Sequence, residues 1–263
     1  TGTTKVGAFR PADGVFYLDH NGNGVWDGCA TDRCLAIGMN GDVPLVGDWT
    51  GNGPTRVGTF RPSDGTFYLD YNGNGQWDGC GTDRCLQIGL NGDIPLVGDW
   101  DGAGSAKVGT FRPSDGTFYL DYNGNGAWDG CATDRCLQIG MNGDVPLVGD
   151  WNGTGSAKVG TFRPTDGTFY LDYNGSGTWD GCGTDRCLQI GMNGDIPLVG
   201  DWAGTGTGVL TSSPTRAPGL ICCASSRLIS TLGLAGAATT LRTAYSMNWP
   251  VLASKAASVM LAA

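Results

Sequence analysis

Short apolar runs alternate with turns rich in glycine and aspartate along most of this chain. In one stretch RVGTFRP and TFYLDY flank SDG, CLQIGL follows an acidic loop, and DIPLVGDW follows NG. Runs of this length that are rich in β-branched and aromatic side chains predict β-strands. Gly65 in SDG predicts a tight hairpin turn, because glycine adopts positive φ without strain. We therefore predict four short strands, named B, C, D and A in chain order.

This group of four strands recurs with a period of 51 residues. The units begin at Lys5, Arg56, Lys107 and Lys158, and the repeat region covers residues 1–206. Four short strands in about fifty residues are typical of a β-propeller blade. We expect an all-β propeller of four blades.

The phase of the repeat suggests how such a ring would close. The first blade lacks its own strand A, because the chain opens at strand B, whereas a spare strand A lies at residues 195–202. Pairing the two would cover two open sheet edges. The alternative is an open stack of units, as in solenoid proteins.

One segment, PLVGDWDGAGSAKVGTFRPSDGTFYLDY, resembles the FG-GAP/VCBS-type repeats of bacterial surface proteins, which are related to the blades of integrin α chains. The resemblance covers residues 5–202 and implies a β-propeller in adhesion or as an accessory module. In that family a calcium loop follows the Gly-Asp-aromatic run. Here the third and fifth positions of that loop vary, so we expect ordinary turns there. The residues that carry the resemblance are Gly98, Asp99, Trp100, Val108, Gly109, Phe111, Arg112, Pro113, Asp115, Gly116, Tyr119 and Leu120.

A different loop, between strands C and D, has the spacing of a calcium site. Asp70, Asn72 and Asn74 occupy alternate positions, Gly75 stands where a sharp turn is needed, and Asp78 follows. Alternate spacing directs several oxygen atoms towards one hard cation. The backbone carbonyl of Gln76, at position 7 of the loop when Asp70 is position 1, would be a further ligand. The carboxylate of Asp83, between the two cysteines, would complete the set. The predicted ligands are Asp19, Asn21, Asn23, Val25, Asp27, Asp32, Asp70, Asn72, Asn74, Gln76, Asp78, Asp83, Asp121, Asn123, Asn125, Ala127, Asp129, Asp134, Asp172, Asn174, Ser176, Thr178, Asp180 and Asp185.

The alternative is a wide turn in which aspartate and asparagine side chains bond their own backbone. Four copies with the same offsets favour calcium, one ion per repeat and about four in total. Charge agrees with this interpretation, since residues 1–203 hold 12 basic and 25 acidic side chains, and all the acids are aspartate. Four Ca²⁺ ions would offset part of that negative charge, which also argues against nucleic acid as a partner.

Eight of the ten cysteines recur as closely spaced pairs, which indicates disulfides formed in an oxidising compartment. Two cysteines per unit without histidine cannot form a zinc site. No apolar run is long enough to span a membrane. We expect an extracellular or cell-surface location. The predicted pairs are Cys29–Cys34, Cys80–Cys85, Cys131–Cys136 and Cys182–Cys187.

Catalysis requires an asymmetric set of groups with distinct roles. The one histidine, His20, is replaced by tyrosine in the other units, and the carboxylates, apart from Asp101, recur by symmetry. We expect no enzymatic activity. Tryptophans beside the acidic loops either stack on sugar rings or cover the loop with apolar surface: Trp26, Trp77, Trp128 and Trp179.

Residues 207–263 break the repeat, contain no acid and include adjacent Cys222 and Cys223. We interpret this tail either as an interaction segment or as a fifth repeat translated out of frame. The whole pattern predicts a structural or adhesive calcium-binding protein, with a cell-surface fibre as one form of that role. Its partner would be another copy of itself, or a surface glycan or protein. The rival function is a lectin-like glycan-binding module.

Overall fold

A computed structural model describes residues 4–202, and these residues form β-strands and turns without a helix. The strands assemble into one three-stranded and three four-stranded antiparallel sheets. The expectation of an all-β repeat fold is therefore confirmed for this part of the chain. The predicted tail, residues 207–263, lies outside the described residues.

Each sheet follows the 51-residue period of the sequence. Sheet 1 contains β1 (Gly7–Arg10), β2 (Val15–Leu18) and β3 (Arg33–Ala36). Sheet 2 contains β4 (Val43–Gly47), β5 (Arg56–Arg61), β6 (Thr66–Leu69) and β7 (Arg84–Gln87). Sheet 3 contains β8 (Ile94–Gly98), β9 (Lys107–Arg112), β10 (Thr117–Leu120) and β11 (Arg135–Gln138). Sheet 4 contains β12 (Val145–Gly149), β13 (Lys158–Arg163), β14 (Thr168–Leu171) and β15 (Arg186–Gln189).

The predicted hairpin between strands B and C forms in every sheet. In sheet 2 the register places Phe60 opposite Phe67 and Arg61 opposite Thr66. Gly65 has a φ of 72°, and an added Cβ there would collide with the Gly89 carbonyl. Glycine is therefore required at this turn for its conformation and for its lack of a side chain.

Strand A joins the sheet of the following unit. Thus β4 lies at the end of the first unit but pairs with β5, with Val46 opposite Val57. Each unit is linked to the next by backbone hydrogen bonds inside a shared sheet. The repeats consequently form a continuous series rather than independent beads.

Phenylalanine side chains from strands B and C fill the centre of each sheet's core. Phe60 and Phe67 are fully buried, with ring centroids 4.8 Å apart. Rings at this separation and tilt contribute about 0.5–1.5 kcal/mol beyond the burial of their apolar area. The same pair recurs in sheets 1, 3 and 4.

Ion pairs join strand B to the start of strand A. Arg61 Nε donates to Asp42 Oδ1 at 3.0 Å, and Nη2 donates to Oδ2 at 3.1 Å. Equivalent pairs join Arg112 to Asp93 and Arg163 to Asp144. The carboxylates are almost fully buried, so this two-pronged contact supplies the compensation that a buried charge needs.

The ring closure predicted from the repeat phase is absent from the described residues. Strand β1 pairs with β2 alone, and residues 195–202 form no strand. Val6 is 73% exposed, whereas the equivalent Val57 is 3% exposed in the second unit. The structure differs from the prediction here because both ends lack the neighbour that every internal unit has.

Candidate metal centres

The acidic loops connect strands C and D in all four sheets. In sheet 2 the loop begins after β6 and returns to β7 through the Cys80–Cys85 disulfide. All four predicted disulfides form, and no cysteine within residues 4–202 is free. Each bridge encloses the end of the loop that carries the second aspartate.

The first aspartate organises the turn from a buried position. Asp70 is 2% exposed, and its Oδ1 and Oδ2 accept hydrogen bonds from the Gly73 and Gly75 backbone N–H groups at 2.8 and 3.0 Å. Both glycines have positive φ, at 76° and 79°. The loop therefore wraps tightly around one carboxylate, which retains lone pairs for a further partner.

The two asparagines and the next aspartate converge on one another. The Oδ1 atoms of Asn72 and Asn74 accept from the backbone N–H two residues further on, at 2.8 and 2.7 Å. Their Nδ2 atoms donate to Asp78 Oδ2 at 3.0 and 2.5 Å. Three predicted ligands, Asn72, Asn74 and Asp78, thus contact one another. The side-chain amide nitrogens, rather than the amide oxygens, face the Asp78 carboxylate.

Asp83 acts as a clamp on the loop backbone. It is 1% exposed, and its two oxygens accept from the Tyr71 and Asp78 N–H groups at 3.0 and 2.9 Å. These bonds tie the beginning of the loop to its end. Sequence reasoning assigned Asp83 only as a closing ligand and missed this structural role.

The other loops repeat this arrangement with small differences. Asp32, Asp134 and Asp185 accept from the equivalent backbone groups. In the fourth loop Ser176 replaces asparagine, and its Oγ donates to Asp180 at 2.7 Å. The buried Asp172 Oδ1 in that loop has no hydrogen-bond partner among residues 4–202, although such atoms are normally paired.

Burial perturbs the acids at the first position. Desolvation raises the pKa of Asp70, Asp121 and Asp172 above the usual aspartate range. The negative charge of the aspartate between the two cysteines of the same loop raises it further; these are Asp83, Asp134 and Asp185. Backbone hydrogen bonds offset only part of this effect. In contrast, hydrogen bonds from Asn174 and Ser176 lower the pKa of the exposed Asp180. The second, third and fourth loops thus each contain a buried first aspartate that a cation would help to keep ionised.

The donor set of each loop suits a hard cation. Carboxylate, amide, hydroxyl and backbone carbonyl oxygens are the ligands that Ca²⁺ prefers, and its coordination geometry is flexible. A group of three or more His, Cys, Asp or Glu side chains arranged around one metal position does not occur in residues 4–202. A calcium ion would therefore depend on amide and carbonyl oxygens as well as on Asp70 and Asp78 in the second loop. The position-7 residues Val25, Gln76, Ala127 and Thr178 would contribute only through their backbone.

The loop tryptophans lie at the junctions between units. Trp77 packs against the core that contains Leu35 and Ile37 of the preceding sheet, and Trp128 and Trp179 occupy the equivalent places. Trp26 has no preceding sheet and is 49% exposed. Apolar packing therefore accounts for three of the four, while sugar stacking stays a prediction.

Arginines that sequence reasoning did not assign flank these loops. The Arg84 guanidinium lies 3.8 Å from the centroid of the Tyr71 ring, and Arg135 and Arg186 cover Tyr122 and Tyr173 in the same way. A cation over an aromatic face contributes about 0.5–2 kcal/mol. The recurrence of DY and TDRC at fixed offsets was the sequence signal for this pairing.

The loops after strand A form turns around their first aspartate. Asp48 accepts from the Thr50, Gly51 and Gly53 backbone N–H groups. Equivalent backbone contacts surround Asp70 in the second acidic loop, so the expectation that the loops after strand A hold no metal stays a prediction.

No protein-family model matches the chain, and a search of curated proteins finds no relative. The resemblance to FG-GAP/VCBS repeats therefore stays a prediction. In the described part of the chain, no helix has the length and apolar character needed to cross a lipid bilayer.

Proposed function

We propose that this protein is a non-enzymatic, calcium-binding structural module of the cell exterior, in which each acidic loop holds one Ca²⁺. The observation that carries the proposal is the fourfold recurrence of one loop geometry around the first aspartate, which is buried in the second, third and fourth loops and half-buried in the first. The ion would cross-link the beginning and end of each loop. Its role would be to stiffen the loops rather than to react.

Electrostatics support a cation in these loops. Residues 1–203 have a net charge of −13, and three aspartates of each unit lie within one loop. The raised pKa of Asp70, Asp121 and Asp172 indicates that burial of these charges is incompletely compensated. Ca²⁺ would provide that compensation without a change in the fold.

The four sheets are proposed to be blades of the propeller type, which agrees with the A-B-C-D strand order of sheets 2 to 4 and with the antiparallel pairing of all four sheets. Near-identical units favour an architectural or adhesive role, because a single specific pocket would require one unit to differ from the others. The small disulfide loops support an oxidising location such as the cell surface.

Calorimetric titration of the full chain with CaCl₂ tests the proposal. We expect four sites per chain with dissociation constants on the order of 10⁻⁴–10⁻³ M, as in extracellular calcium modules. Asp78→Ala removes an exposed ligand whose side chain makes no backbone bond, so the count should fall to three. Asp64→Ala, at an exposed turn of the same sheet, should leave four. Titration without binding heat, or identical counts in both variants, would reject calcium in these loops.

A further inference from the structure

Three junctions join consecutive sheets in the described part of the chain: sheet 1 to 2, sheet 2 to 3 and sheet 3 to 4. Strand A crosses into the following sheet, and the Ala106 and Ala157 N–H groups donate to the carbonyls of Asp48 and Asp99, both at 2.8 Å. The loop tryptophan of the following unit then packs on the Leu-Ile pair of the preceding sheet. The tryptophan packing is present at all three junctions, and the backbone bond is present at the two that join sheets 2 to 3 and 3 to 4.

The first sheet presents one half of such a junction without its partner. Within residues 4–202 no strand pairs with the outer edge of β1, and Val6 and Trp26 are exposed although their internal counterparts pack against a preceding sheet. A Cβ added to Gly24 would meet no atom of the described chain within 4 Å. A Cβ on the equivalent Gly75 would meet Leu35 Cδ2 of the preceding sheet at 2.6 Å. Among the described residues the one ion pair of Arg10 is the exposed pair with Asp13, in place of the buried pair of its counterparts, and Arg10 also donates to the Tyr17 hydroxyl.

The fourth sheet presents the other half. Ile190 is 77% exposed, compared with 7% for its counterpart Ile139. The segment DIPLVGDW occurs at residues 93–100 and again at 195–202. It forms β8 in the first place, where β9 lies beside it, and no strand in the second. Within the described residues Asp195 caps the Met192 N–H as its counterparts do, but it lacks their arginine.

We propose that these halves join between molecules: residues 195–200 of one copy add to the β1 edge of a second copy as its missing strand A. The inference rests on the structural role proposed above and identifies its partner as the chain itself. Carrying the internal register forward by the repeat period places Ile196 opposite Phe9 and Leu198 opposite Gly7. It also pairs Asp195 with Arg10 and seats Trp26 on Ile190.

The occupant is a second copy because the internal junction has already been made three times. Those three identical steps leave Val6 and Ile190 exposed, so the two ends of one described chain do not cover each other. The two halves match in backbone pairing, in apolar surface and in charge. The contact is heterologous, and a heterologous contact that does not close continues as a filament.

A charge exchange in the full chain tests this contact. Arg10→Asp and Asp195→Arg each place like charges at the proposed junction, and both positions are exposed in the isolated molecule, so folding should persist. Sedimentation should show large assemblies for the wild type and monomers for either variant, with an association constant lower by at least about a hundredfold. Asn142→Arg, at an exposed internal turn, should assemble as the wild type does.

Mixing the two single variants separates assembly from closure within one chain. In an alternating polymer every junction is complementary, so the mixture and the double variant Arg10→Asp/Asp195→Arg should both regain high mass. A wild type that stays monomeric at its highest soluble concentration would overturn the proposal. Assembly that neither substitution reduces would also overturn it. A double variant that has a higher free energy of unfolding but stays monomeric would overturn it too, because that result indicates closure within one chain. Calorimetric calcium counts on the same samples keep a failure of this contact distinct from a failure of the proposed loop function.

Discussion

At the scale of single residues, buried aspartates hold the loops together through backbone N–H groups. Asp83 makes two such bonds from a position with almost no exposure, and its counterparts do the same in every unit. Hydrogen bonds to a charged group contribute about 1.5–3 kcal/mol each, and an unsatisfied buried group costs a similar amount. Asp83 is therefore as important for loop geometry as Asp70.

Asp83→Asn should lower the stability of the second unit. The amide keeps one acceptor but turns a donor towards a backbone N–H, so we expect a loss of about 1–3 kcal/mol. Urea unfolding monitored by tryptophan fluorescence measures this loss. Asp64→Asn retains the exposed turn bond to Thr66 and should change the stability by less than about 0.5 kcal/mol. Equal losses in both variants would contradict the role assigned to Asp83.

The stabilisation gained from calcium should depend on pH. Asp70, Asp121 and Asp172 have raised pKa values in the folded state, so without metal the stability associated with them is present at low pH and lost as pH rises through those values. Ca²⁺ requires the ionised form. The increase in Tm on adding CaCl₂ should therefore be largest near neutral pH and shrink as pH falls towards about 4. A Tm increase that is independent of pH, compared with KCl at equal ionic strength, would argue against these carboxylates as ligands.

At the scale of strands and sheets, paired side chains fix each strand against its neighbour. The Arg112–Asp93 pair is largely buried, whereas the equivalent Arg10 at the open end forms only an exposed pair with Asp13. The chain thus offers its own control for each internal contact. The same contrast exists for Trp128 and Trp26.

Arg112→Ala should lower the free energy of unfolding by about 3–5 kcal/mol, because it leaves the Asp93 carboxylate buried and uncompensated. Arg10→Ala removes an exposed pair and should cost no more than about 1 kcal/mol in the monomer. Urea unfolding of both variants under dissociating conditions gives the comparison. Similar costs for the two would show that strand A is held by its backbone alone.

Trp128→Ala should cost about 3 kcal/mol, since the indole fills the junction with Leu86 and Ile88. Trp26→Ala should have a much smaller effect on the monomer but should weaken assembly. Thermal unfolding and sedimentation of the same two samples separate these effects. The contact between units would need revision if Trp26→Ala destabilised the monomer as strongly as Trp128→Ala.

At the scale of the whole molecule, local sequence predicts the elements better than their partners. The apolar runs and the SDG hairpin follow from alternation and turn chemistry, and the structure confirms them. Ring closure did not follow, because DIPLVGDW becomes a strand only where a strand B lies beside it. Edge pairing depends on long-range geometry that a repeat phase does not contain.

The acidic loops show the same division. Their alternating spacing predicted convergent oxygens, and Asn72, Asn74 and Asp78 do contact one another, but with amide nitrogens facing the carboxylate, so the calcium ligand set stays a prediction. The clamp made by Asp83 was missed because it depends on which backbone N–H groups the loop turns inward. The junction role of the tryptophans likewise depends on the neighbouring sheet.

Anomalous X-ray scattering from crystals grown in millimolar CaCl₂ tests the central claim most directly. The account predicts one calcium peak inside each of the four acidic loops. Each peak should lie within about 2.3–2.6 Å of carboxylate oxygens of Asp70 and Asp78 or of their counterparts in the other loops. Crystals that show all four loops ordered without an anomalous peak at that calcium concentration would contradict it.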